Sequence, residues 1–187
     1  MLRICKRLWN NGGLLKMKKY NKIHCMKISM LVIALFFSVC IVQAQNIRKV
    51  KIKEVLHYID TTQKPVVINF WATWCAPCVH ELAYFEKEIQ KAAGDKVQIL
   101  LVSVDYADDY PKTIEKFIQE HGYTSTVWWL NETNAADFCP KIDKTWNGNI
   151  PATLMYNPST HYRKFYNRQL TAPQIPEAVE QLLSTAN

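Results

Sequence analysis

The sequence predicts an α/β domain with a mixed central β-sheet flanked by helices. Two observations carry that prediction. Continuous apolar runs of strand length alternate with segments whose apolar residues recur at helical spacing. Their order is β-α-β-α-β, followed by a β-hairpin and a last helix. The size agrees: 187 residues, 49% hydrophobic and 21% charged, suit one folded domain with little room for a second. That composition excludes a disordered or collagen-like chain.

Taken in order, Val55, Leu56 and Ile59 mark a short first helix. Pro65 precedes Val66–Trp71, an apolar run interrupted only by Asn69 and suited to a central strand buried on both faces. From Cys75 to about Ala93, the residues Leu82, Phe85, Ile89 and Ala93 fall at helical spacing, and Gly94 stops the helix. Val97–Val104 is a second buried strand. Pro111 opens a helix that runs to His121 and ends at Gly122. Thr126–Leu130 is a third strand. Residues 134–147 read as a short helix and then a loop at Trp146-Asn147-Gly148-Asn149. Ala152–Tyr156 and Tyr162–Asn167 form a hairpin around Asn157-Pro158-Ser159, and Pro176–Leu183 is the closing helix.

The chain carries a formal charge of +7, and its placement decides what it means. Residues 1–44 hold Arg3, Lys6, Arg7, Lys16, Lys18, Lys19, Lys22 and Lys27 and no acid, whereas residues 45–187 are net −1. A phosphate-gripping surface would put its cations on the folded domain, so nucleic acid is not an expected partner. Residues 1–44 read instead as an export leader. Basic residues precede the apolar run Ile28–Val42, which ends in the small-residue pattern Val42-Gln43-Ala44. That run of 15 residues is short for a spanning helix of about 20. Cleavage is expected after Ala44, leaving a domain over 45–187. An uncleaved N-terminal anchor is the alternative, and membrane contact is expected through the leader alone. Met17 and Met26 are further candidate starts, and Val39 before Cys40 is bulky for a lipid-attachment site. Of the six cysteines, Cys5, Cys25 and Cys40 lie in the leader, leaving Cys75, Cys78 and Cys139. Outside the cytosol such thiols can persist as disulfides, and three cannot all pair within one chain.

The most informative stretch is Trp74-Cys75-Ala76-Pro77-Cys78, placed after the first buried strand and at the start of the long helix. Two cysteines three apart on a first helical turn can close a small ring. Unpaired N–H groups and the positive end of the helix dipole favour a thiolate at Cys75. Cys75 is therefore expected to be the exposed nucleophile. Cys78, one turn further in, is expected to resolve the mixed disulfide. Pro77 sits where a helix lacks a use for its N–H and limits the flexing of the ring. A closing structural disulfide or half a zinc site is the competing interpretation. It lacks a second cysteine pair and histidines at ligand spacing, so no metal and no cofactor is expected.

With this motif the chain resembles the thioredoxin superfamily, and more closely the exported TlpA/ResA-type thiol–disulfide oxidoreductases. The matching text is Val67–Cys78 and, downstream, Ile150-Pro151-Ala152-Thr153, and the likeness extends over about residues 50–185. The resemblance implies a thioredoxin-like fold with Pro151 in cis beside the redox pair and the Ile150 backbone facing a bound peptide strand. It also implies Trp74, Pro77, Ile150 and Pro151 as substrate-contacting residues. An added helix and strand near residues 104–130 would account for the long spacing from Cys75 to Pro151. The implied activity is reduction of disulfides in exported proteins in the periplasm or cell envelope. Apocytochrome c is one implied substrate class, with protein thiols as partners and a membrane electron donor.

Thioredoxins carry a buried Asp on the strand before the motif; Asn69 stands there in this chain and cannot accept a proton. ResA-like proteins use a Glu shortly after the second cysteine, and Glu81 is three residues past Cys78. Glu81 is therefore the candidate acid/base, against the alternative of an ordinary solvated helix residue. His80 is expected at the surface, and Ala83 replaces a proline common in the family, which predicts a straighter helix. Cys139, in Phe138-Cys139-Pro140, is either a buried free thiol or a third redox cysteine. Trp128, Trp129 and Trp146 are expected in the core or lining a groove. Other functions remain on the same fold, among them a disulfide oxidase or isomerase, since the direction of electron flow is not in the sequence. A copper chaperone would use Cys75, Cys78 and a histidine, but His121 and His161 lack matching context. A peroxidase would need a threonine three residues before its cysteine, where this chain has Ala72.

Overall fold

The computed structural model describes residues 47–184. The expected leader, its cleavage site and Cys5, Cys25 and Cys40 lie outside the described residues. The elements in chain order are β1 (Arg48–Val50), α1 (Ile52–Thr61), β2 (Val66–Trp71), α2 (Ala76–Ala93), β3 (Gln98–Ser103), α3 (Lys112–His121), β4 (Thr126–Leu130), α4 (Ala135–Ile142), β5 (Ala152–Asn157), β6 (Tyr162–Tyr166) and α5 (Gln174–Leu183). The strands form one sheet in the order β1-β4-β3-β2-β5-β6. β1, β4, β3 and β2 run parallel, while β5 is antiparallel to β2 and β6 to β5. This is the mixed sheet that the sequence predicts.

Every residue of β2 is buried because both faces of the sheet are covered. Side chains alternate across a strand, so Val67 and Trp71 enter one core layer with Leu82, Phe85 and Ile89 of α2, Ile114 and Ile118 of α3, and Ile175 and Val179 of α5. Val66, Ile68 and Phe70 enter the other with Ile52, Val55 and Ile59 of α1 and Phe138 and Ile142 of α4. Asn69 points to the first side, the same as Val67 and Trp71, and is the polar member of an otherwise apolar strand.

The differences from the sequence reading are local. β1 is a strand the sequence does not announce: Arg48 and Lys49 are exposed, and its definition comes from pairing with Trp128–Leu130 of β4. α3 begins one residue after Pro111, whose peptide bond with Tyr110 is cis, and ends at Gly122 with φ +68°. α5 begins at Gln174, so Pro176 sits inside the first turn, where its missing N–H would have no helical partner. Residues 134–147 resolve as α4, capped by Asn134 Oδ1 accepting from Ala136 N–H at 3.1 Å, followed by the loop. Trp128, Trp129 and Trp146 are all core residues. Among the described residues no helix is long and apolar enough to cross a membrane.

Candidate active site

The site forms where the parallel strands end. β2 runs out at Trp71, and four residues later Cys75 caps the N-terminus of α2. Its sulfur accepts from Cys78 N–H at 3.3 Å, and its carbonyl accepts from Val79 N–H at 3.0 Å. Cys75 and Cys78 are joined by a disulfide with Cα atoms 5.2 Å apart. Cys78 has no exposure and Cys75 retains 5%. Cys75, expected to be exposed, is thus buried in this oxidised form, and Cys78 is the more completely buried of the two. Pro77 is exposed beside them. The Ile150–Pro151 peptide is cis, and the Ile150 carbonyl oxygen lies 3.8 Å from Cys75 Sγ.

Three residues past Cys78 on the same helix, Glu81 is fully buried, which rules out a solvated helix residue. Its Oε1 accepts from Asn69 Nδ2 at 2.7 Å and its Oε2 accepts from Leu170 N–H at 2.6 Å. Asn69 Nδ2 also donates to Thr153 Oγ1 at 3.0 Å, two residues past Pro151. Burial pushes the Glu81 carboxyl up to about 7. The bonds from Leu170 and Asn69 and the charge of Arg168 oppose that rise without cancelling it. The structure therefore joins Asn69, Glu81 and the segment after Pro151 in one buried polar cluster. His80 is exposed, with Nδ1 2.9 Å from Gln169 Nε2.

Two residues of the site escape the sequence reading. Asp105, two residues past the end of β3, is buried. Its Oδ1 accepts from Thr73 N–H at 2.9 Å and from Thr73 Oγ1 at 2.6 Å, and its Oδ2 accepts from Ser103 Oγ at 2.7 Å. Its carbonyl accepts from Trp129 Nε1 at 2.9 Å. The carboxylate ties the loop before Cys75 to the neighbouring strand. The available signal was an acid two residues after a buried parallel strand adjacent to β2, since α/β sheets place their sites at such strand ends. Tyr106, the next residue, is 66% exposed and stacks on Trp74, itself 52% exposed, with ring centroids 5.5 Å apart. Replacing Asp105 with alanine strands three donors at once. Asp105→Ala is expected to lower stability by about 2 kcal/mol, and Asp105→Asn, which keeps an acceptor for Thr73 N–H, by less than half of that. Urea unfolding of the three proteins checks it; equal stability of Asp105→Ala and the parent would remove the clamp.

Cys139 is a free thiol buried in the core layer on the opposite face of the sheet from Cys75 and Cys78. Burial pushes its thiol up to about 11. The sheet between them removes it as a resolving partner for Cys75. In the oxidised protein, a thiol reagent is expected to leave Cys139 unmodified until denaturant is added; modification at the native-state mixing time would contradict this placement. Among the described residues, no group of three or more His, Cys, Asp or Glu side chains is placed to hold a metal ion.

The sequence matches the AhpC/TSA family over residues 39–163, more than half of its length. The chain belongs to the AhpC/TSA family. Within curated proteins, this AhpC/TSA chain is 37% identical over 68 residues to the thioredoxin-like protein YneN of Bacillus subtilis, a span of 36% of this chain and 39% of that protein. It is 31% identical over 116 residues to the thiol-disulfide oxidoreductase ResA of Oceanobacillus iheyensis, covering 62% of this chain and 56% of ResA. Both matches span less than two-thirds of the relative's own length. Among solved structures, a thioredoxin-related protein from Neisseria meningitidis serogroup B superposes with a TM-score of 0.55 at 22% identity, covering 66% of this chain and 89% of that one. The fold is the thioredoxin fold.

Proposed function

We propose that this chain is a thiol–disulfide oxidoreductase of the cell envelope that reduces disulfides in exported proteins through Cys75 and Cys78. The observation that carries the reading is the disulfide at the N-terminus of α2, with the Ile150 carbonyl 3.8 Å from Cys75 Sγ, in a chain with ResA among its relatives.

In the reduced protein, the Cys75 thiolate attacks one sulfur of a substrate disulfide. A Cys75–substrate mixed disulfide forms and one substrate thiolate leaves. Cys78 then loses its proton to the Glu81 carboxylate and attacks Cys75 Sγ. The Cys75–Cys78 bond forms, the mixed disulfide breaks, and the second substrate thiolate departs to take up a proton. The substrate gains two electrons and the protein loses two. A dithiol donor, which we assign to the membrane, returns them. Residues 1–44 supply the export signal in this reading. Trp74, Pro77, Ile150 and Pro151 contact the substrate polypeptide.

Partner trapping tests the proposal. Cys78→Ser protein, expressed in its own compartment, is expected to accumulate reductant-sensitive adducts with exported proteins through Cys75. Absence of adducts, with Cys75 reduced and free, would overturn it. The direction of electron flow is read separately from equilibration with glutathione. A potential near −270 mV, in the range of reducing members of this fold, supports the reductant; one near −120 mV would make the protein an oxidase.

A further inference from the structure

Trp74 and Tyr106 are the large hydrophobic side chains that stand exposed among the described residues, at 52% and 66%. They are not scattered. Their rings stack on each other at 5.5 Å with an interplanar angle of 21°, and Trp74 immediately precedes the attacking cysteine. Isolated exposed aromatics need no explanation, but a contiguous apolar patch on an otherwise polar surface marks an interaction site.

The two rings arrive on different loops, one after β2 and one after β3. A single buried hub holds both. Thr73, next to Trp74, donates its N–H and its hydroxyl to the Asp105 carboxylate, while Asp105 itself is the residue before Tyr106. The indole of Trp129 fixes the Asp105 carbonyl from below. The shelf is therefore pre-organised, which spares an incoming side chain the entropy of ordering it. Flat aromatic faces stack best on other flat or broad apolar side chains.

From this we infer that Trp74 and Tyr106 form an aromatic shelf that selects polypeptide disulfides carrying an aromatic residue next to the reacting cysteine. The inference rests on the proposed oxidoreductase reading and names the substrate feature it prefers. The occupant is set by position: with Trp74 adjacent in sequence to Cys75, the residue flanking the attacked cysteine is the one that reaches the rings. Tyr106 is the specificity-determining residue, since its ring extends the surface that Trp74 begins.

The test compares two short peptides, each with one intramolecular disulfide, that differ by tryptophan or alanine beside a cysteine. The wild-type protein is expected to show a KM about fivefold lower for the tryptophan peptide, with similar kcat for both, as one added stacking contact implies. Tyr106→Ala is expected to erase that preference, and Tyr106→Phe, which keeps the ring, to retain it. Equal KM values in the wild type, or a preference that survives Tyr106→Ala, would overturn the shelf while leaving the oxidoreductase reading intact. Reduction of neither peptide would instead count against that reading. The shelf is then judged by binding of the reduced, alkylated peptides to the oxidised protein, followed at the Trp74 indole N–H by NMR. Tighter binding of the tryptophan peptide, lost in Tyr106→Ala, supports it, and equal binding overturns it.

Discussion

Cys75→Ser is expected to abolish reduction of a protein disulfide, with at least a 1,000-fold loss by order of magnitude, because a serine hydroxyl stays protonated where a thiol ionises. The loss should be this complete because no other sulfur among the described residues can take over. Cys78 has no exposure, and Cys139 lies across the sheet with its thiol pushed up to about 11. Cys78→Ser should behave differently. Its Cys75 keeps the capping position at the N-terminus of α2 and still attacks, so a mixed disulfide accumulates after one turnover. A single-turnover assay with mass spectrometry of the adduct separates the two. More than a tenth of wild-type turnover in Cys75→Ser would mean that the inner sulfur can attack, and the assignment of roles would be reversed.

What could be read in the sequence was whatever local pattern dictates. The apolar run Val66–Trp71 fixed a strand buried on both faces, and the spacing of Leu82, Phe85, Ile89 and Ala93 fixed the face that α2 turns inward. The cysteine pair announced itself because its chemistry needs neighbours along one helical turn. β1 was hidden because Arg48 and Lys49 look like surface residues, and only the pairing with β4 makes them a strand. Asp105 and Tyr106 were hidden for the same reason. Their meaning comes from Thr73 and Trp74, about thirty residues earlier, through the parallel pairing of β2 with β3. Glu81 was half legible. The family resemblance picked the residue, but its burial depends on Leu170 closing over it from the far end of the chain.

Glu81→Gln is expected to slow resolution of the mixed disulfide by about 100-fold, the low end of general acid–base contributions, and to remove a pH dependence centred near 7. With its carboxyl raised to about 7, Glu81 is mostly protonated at pH 6 and cannot accept the Cys78 proton. The wild-type resolution rate should therefore rise through a midpoint near pH 7 and level above it. Folding stability supplies an independent reading. A carboxyl whose folded value lies above its ordinary 4.5 favours folding fully below 4.5. That contribution is lost as the pH climbs through 7, amounting to about 3 kcal/mol at order-of-magnitude precision. Wild-type stability should fall between pH 5 and pH 8 by most of this amount, and Glu81→Gln should not show the fall. The glutamine fits the cluster because Asn69 Oδ1 has no partner. Turning the Asn69 amide over lets that oxygen accept from a donor at position 81, whether a protonated carboxyl or a glutamine amide. If the stability curve flattens as expected while the resolution rate of Glu81→Gln keeps its wild-type profile, the carboxyl is a buried structural group and the Cys78 proton leaves by another route.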